Sequence, residues 1–177
     1  MLLSVRKRFW RDQRGVSAIE FAFIAPIMIA FYFGVGELTQ TMMADRRASH
    51  VASAVGDLVT QSSQLTNAEI SDIFAIAKTI MSPFPADSLG VRVISVSVDS
   101  KGAATVDWCE ASSMTDLADG SSYTLPSGLV PNGQSIVVAE SKYVYTSPFA
   151  KIFPNGITFN DKLYLKPRRS TKVMRTT

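Results

Sequence analysis

Hydrophobic positions change their pattern twice along the chain. From Val16 to Gly36 the sequence VSAIEFAFIAPIMIAFYFGVG is apolar on every side and carries one charge, Glu20. That run matches the roughly 20 residues that a helix needs to cross a bilayer core of about 30 Å. Phe31, Tyr32 and Phe33 near its far end suit an interfacial position. From Glu37 the pattern narrows to a helical stripe of Leu38, Met42, Ala48, Val51, Val55, Leu58 and Val59, which predicts one long helix continuing to about Thr60. Gln61–Gln64 reads as a loop. Thr66-Asn67-Ala68-Glu69 is then a capping box opening a second helix, with Ile70, Ile73, Phe74, Ala77, Ile80 and Met81 as its apolar face and Pro83 and Pro85 as its stop.

After Pro85 the period becomes two. Val91–Val98 alternates with both faces partly apolar, Asp99-Ser100-Lys101-Gly102 reads as a hairpin turn, and Ala104–Cys109 as the returning strand. Residues 110–133, rich in Ser, Asp, Gly and Pro, read as a loop, either a solvated insertion or a partner-facing one. Ser135–Ser147 and Ile157–Leu165 read as third and fourth strands, with Trp108, Tyr143 and Tyr145 spaced for core packing on one sheet face. Helices followed by strands predict an α+β fold in which a small antiparallel sheet packs on the long N-terminal transmembrane and amphipathic helix. The boundaries that follow are a basic leader at 1–15, the membrane helix at 16–36, its extension at 37–63, an extracytoplasmic (periplasmic) α+β domain at 64–165, and a basic tail at 166–177. The tail is expected to be disordered rather than lipid-bound.

Charge changes the picture by its distribution. The net charge of +3 resolves into +4 over residues 1–15, +5 over 166–177, and −6 between them. Basic residues confined to the flanks do not make the folded basic face of a nucleic-acid binder. The leader cations Arg6, Lys7, Arg8, Arg11 and Arg14 should stay cytoplasmic, which sends the C-terminal part outward. Cys109 is the single cysteine and His50 the single histidine, so an internal disulfide and a Cys/His metal centre are both excluded. Cys109 reads as a small apolar residue. The chain has no Gly-rich phosphate loop, no GxSxG and no metal-ligand cluster, so no enzyme activity and no cofactor are expected.

Glu20 is the anomaly of the membrane segment. An ionisable residue at the centre of a membrane helix costs about 2.5–3.5 kcal/mol on insertion scales, less for one a single turn from the end. One reading is a carboxylate that snorkels to the headgroups. Its surroundings offer another. Cleavage after Gly15 would create an α-amino group at Val16 and make Glu20 the fifth mature residue. Such an ammonium and such a carboxylate pair more readily between staggered neighbouring helices than within one helix, and low dielectric strengthens the pair. Ser17 and Ala18 leave room for a peptidase or a partner helix. Pro26, in mid-helix, predicts a kink that a membrane tolerates.

A glycine–x4–glutamate junction after a short basic leader resembles that of type IV prepilins. The stretch RGVSAIEFAFIAPIMIAFYFGVGEL resembles more closely the TadE-like minor pilins, or pseudopilins, of tight-adherence pili. Arg14, Gly15, Ala18, Glu20, Phe21, Ala22, Pro26, Gly34 and Glu37 are the matching positions. The resemblance implies cleavage between Gly15 and Val16 by a prepilin peptidase of the inner membrane. It also implies docking to neighbouring subunits through Glu20 and Phe21, and partners among the major pilin, other minor pilins and the inner-membrane assembly platform. Two alternatives use the same residues. Gly34-Val35-Gly36 has the small-x-small form of a signal-peptidase site, which would release a secreted domain. An uncleaved span would instead anchor a periplasmic binding or sensor module.

Overall fold

The computed structural model describes residues 15–147 and 156–176. The leader through Arg14, the connection 148–155 between the expected third and fourth strands, and Thr177 lie outside the described residues.

Helix α1 runs without interruption over Val16–Thr60, through Pro26. The chain divides into two compact units, the first ending at Gln40 and the second beginning at Thr41. In the first, α1 exposes large apolar side chains on all sides, among them Phe21, Phe23, Ile27, Phe31, Tyr32 and Val35. An 18-residue window of this stretch has mean hydropathy 2.0 and none of it is buried. Helix α1 is thus long and apolar enough to cross a membrane.

In the second unit the same helix is amphipathic. Ala44, Ala48, Val51, Ala52, Val55 and Val59 are buried, one stripe at i, i+4, i+7 spacing. Small residues bring its backbone close to the sheet. Ser141 Oγ donates to the Ala48 carbonyl at 2.8 Å, and Ser49 Oγ donates to Asp161 Oδ1 at 2.8 Å. At Gly56 a β-carbon would lie 2.5 Å from Leu165 Cδ1 and 3.0 Å from Ala139 Cβ. Strand β1 (Gln64–Leu65) leads into α2 (Asn67–Ile80). The capping box is present: the Thr66 N–H donates to Glu69 Oε2 at 2.8 Å and the Glu69 N–H to Thr66 Oγ1 at 3.3 Å. Ile70, Ile73 and Ala77 face the core, and Arg47 Nη1 of α1 donates to the last carbonyl of α2, Ile80 O, at 2.9 Å.

A short 3₁₀ turn (Ala86–Ser88) precedes β2 (Leu89–Val98), β3 (Ala104–Ser112), β4 (Ser135–Tyr145) and β5 (Ile157–Leu165). These form a four-stranded antiparallel sheet in the order β3-β2-β4-β5. The fold is α+β, a long N-terminal helix followed by a small antiparallel sheet. One sheet face carries Leu89, Val91, Val93, Trp108, Val137, Tyr143 and Tyr145 and shares a core with α1 and α2. The other carries Ile94, Val96, Val106, Ile136 and Val138. Trp108 and Val106 lie two residues apart yet point to opposite faces, because a β-bulge at Ser95/Val96 sets two residues of β3 against one of β2.

Two sequence-based expectations change here. The segment 110–133 is neither wholly loop nor wholly solvated. Strand β3 continues to Ser112, and beyond it Leu117, Tyr123, Leu125, Leu129 and Val130 pack over the second sheet face. That cover explains why β2 is apolar on both sides. The basic tail is not disordered; through Thr176 it is folded onto the domain. Arg168 N–H donates to Thr60 O at the end of α1, and β6 (Met174–Arg175) pairs in parallel with β1. Val173 is fully buried, and its carbonyl accepts from Trp108 Nε1 at 2.8 Å. The tail's cations find acceptors: Arg168 pairs with Asp57, Lys172 with Asp107, and Arg175 with Glu110 at 2.8 Å. Basic residues that read as a solvated flank are therefore partners of the acidic middle of the chain.

Gly56→Val should lower stability by about 1–3 kcal/mol, because its side chain has no room between Ala139 and Leu165. Urea unfolding followed by tryptophan fluorescence would measure it, and an unchanged midpoint would refute this close approach.

Candidate assembly and processing site

The residues singled out by sequence lie in order on the first turns of α1. Gly15 stands just before the helix, and its carbonyl accepts from Ile19 N–H at 3.1 Å, the first α-helical bond. A cut after Gly15 would remove that acceptor's residue and leave Val16 as the helix N-terminus, with the unpaired N–H groups and partial positive charge that every such end carries. No acidic side chain occupies the first turn. Glu20 lies one turn after Val16, on the same helix face, and is exposed. Phe21 is exposed beside it, and a β-carbon on Gly15 would meet nothing within 4 Å. Pro26 is inside the helix without ending it. These positions are thus accessible, and the Glu20 carboxylate is set among exposed apolar side chains that no other described residue covers.

Glu37, by contrast, is buried at 4% exposure. Among the described residues of Phe21–Ala44 it is the one charged side chain, so the exposed surface of that stretch is uncharged.

The second unit holds a polar cluster that the sequence pattern did not reveal. Arg92, Glu140 and Lys162 stand directly opposite one another on β2, β4 and β5. Glu140 accepts from Arg92 Nε at 2.8 Å and pairs with Lys162 Nζ at 2.7 Å. Arg92 Nη1 also donates to Thr115 O at 2.8 Å, and Lys162 Nζ to Tyr123 Oη at 3.1 Å. The cluster therefore ties the covering segment to the sheet. Burial pushes the Glu140 carboxyl up, but the hydrogen bonds and charges of Lys162 and Arg92 outweigh it and hold its pKa below the ordinary 4.5. Glu140 in turn raises the pKa of Lys162. Burial also raises Cys109, half-buried beneath the covering segment with Sγ 4.0 Å from Asp116 Oδ1, which leaves it a thiol at neutral pH. Among the described residues, no group of three or more His, Cys, Asp or Glu side chains is placed to hold a metal ion.

A long, exposed apolar helix followed by a small antiparallel sheet defines an α+β protein whose N-terminal helix is long and apolar enough to cross a membrane. Residues 15–57 match the family model of TadE-like proteins, from the glycine before α1 to its penultimate turn. That match agrees with the resemblance carried by Gly15, Glu20, Phe21, Pro26 and Glu37, and associates the chain with pilus components in general. No curated protein and no solved structure matches the chain.

Because the Glu140 pKa is depressed on folding, the stability it supplies is complete above its unfolded value and is lost as pH falls through the folded value. Wild-type stability should therefore drop on acidification below about pH 5. Glu140→Gln should cost about 1–3 kcal/mol at neutral pH and flatten that acid dependence, measured by urea unfolding between pH 3 and 7.

Proposed function

We propose that this protein is a minor pilin, or pseudopilin, of a tight-adherence pilus, a structural and assembly component rather than an enzyme. The observation that carries the reading is that the TadE-like match falls on a helix that opens with an apolar stretch, Val16–Gly36, interrupted by one charge, Glu20, and exposing its large apolar side chains. Such a helix needs lipid before assembly and other helices after it. The protein would sit in the inner membrane with its sheet domain in the periplasm, and would enter or initiate the filament after cleavage between Gly15 and Val16. A prepilin peptidase would make the cut. The major pilin, other minor pilins and the inner-membrane platform would be its partners.

In this reading Glu20 is a register charge. After processing, the ammonium of one subunit's Val16 and the Glu20 carboxylate of its neighbour neutralise each other in a low-dielectric bundle, where an unpaired carboxylate is costly. Phe21 packs beside the pair, and Pro26 gives the helix a point at which it can bend when it leaves the bilayer.

Mass spectrometry of the mature protein should find Val16 at its N-terminus, and Gly15→Ala should slow or abolish processing. A mature N-terminus at Glu37 would favour a secreted domain, and an intact leader the anchored sensor. Glu20→Ala should still be cleaved yet fail to support piliation, scored by electron microscopy of the cells; normal pili would remove the register role.

A further inference from the structure

On α1, beyond the apolar run, Met43, Arg46, Arg47 and His50 line an open groove of about 280 Å³. All four are exposed, and Arg46 enters none of the ion pairs among the described residues. Arg47 gives one guanidinium nitrogen to Ile80 O and keeps others for a ligand. Asp45 is the acidic side chain next to the groove in sequence, and it does not line it. Two guanidinium groups and an imidazole beside a methionine suit an oxyanion that carries an apolar body.

The uncharged surface of α1 says where this groove stands. With Glu20 at the inner boundary, a hydrocarbon core of about 30 Å takes up twenty helical residues, Phe21 to Gln40. Exposed Leu38, Met42 and Met43 extend the apolar surface past Gly36, and the Thr39 hydroxyl is satisfied by Val35 O at 2.9 Å. Glu37, which falls inside that span, is the buried one. Arg46 then follows the core edge by six residues of chain, and helical side chains tilt back toward the N-terminus, here toward the headgroups.

We propose that Arg46, Arg47 and His50, with Met43, bind the phosphate of an anionic phospholipid at the outer-leaflet surface and fix the depth of α1 in the bilayer. The proposal rests on the membrane-anchored reading of α1 and moves the span about four residues toward the sheet domain relative to 16–36. Arg46→Gln is the informative variant, since Arg46 is exposed and outside the ion-pair framework.

The test uses the full chain in phosphatidylcholine nanodiscs with and without phosphatidylglycerol, a photoactivatable probe on either headgroup, and mass spectrometric mapping of the adducts. The phosphatidylglycerol probe should label Met42–His50, and Arg46→Gln should reduce that labelling roughly fivefold, with Arg46→Lys restoring most of it. Equal labelling by the phosphatidylcholine probe, no effect of Arg46→Gln, or cross-links from this face into a second copy would each overturn the proposal. Acyl-chain probes separate the two levels of failure. Adducts within 21–40 but none at 42–50 defeat the lipid site alone, whereas none in either place defeats the membrane reading itself.

Discussion

A single helix has to satisfy two surroundings, and its side chains divide accordingly. Over its first part α1 exposes apolar side chains all round, which water does not tolerate and which the other described residues leave uncovered as far as Gly36. From Ala44 it becomes a narrow seam of Ala and Val, with Gly56 at the tightest point against Ala139 and Leu165. That seam is what the domain is built around. It seats β4 and β5 on the helix, the bonds from Ser141 to Ala48 and from Ser49 to Asp161 fix the register, and the tail closes on its last carbonyl, Thr60 O. A larger side chain anywhere along it would lift the sheet from the helix.

The sheet is unusual for a small antiparallel domain in being covered on both faces. Helices cover one side and a segment of irregular structure covers the other, with Leu117, Tyr123, Leu125, Leu129 and Val130 as its inward residues. An irregular cover supplies no backbone ladder to hold it in place. The Arg92–Glu140–Lys162 row does so with side chains, reaching Thr115 and Tyr123 from three adjacent strands. The bulge in β3 has a related part: it turns Trp108 to the helix face, where its indole N–H fastens the tail.

What the sequence makes legible is local. The capping box at Thr66 and Glu69, the turn at Asp99–Gly102 and the alternation of β2 each lie within a few residues, and the structure reproduces them. The candidate site was legible for the same reason, since Gly15, Val16, Glu20 and Phe21 lie within seven consecutive positions of one helix. Long-range features were not. Nothing in SIVVAESKYVYTS marks Glu140 as the centre of a triad, because Arg92 and Lys162 reach it only through strand register. The inward residues of the covering segment follow no period, and Lys172 or Arg175 looks like a solvated flank until Asp107 and Glu110 are set beside it.

The continuity of α1 also has a mechanical side. Within the second unit, tension applied along the helix axis enters the domain through the buried stripe. There the load meets the seam in shear, spread over Ala44 through Val59 at once, rather than peeling contacts one by one. The tail, bonded to the far end of the helix at Thr60 and to β1 just beyond it, ties off the end of that seam. A domain built this way shares load along the whole seam, its sheet carried on the helix instead of hanging from one end of it.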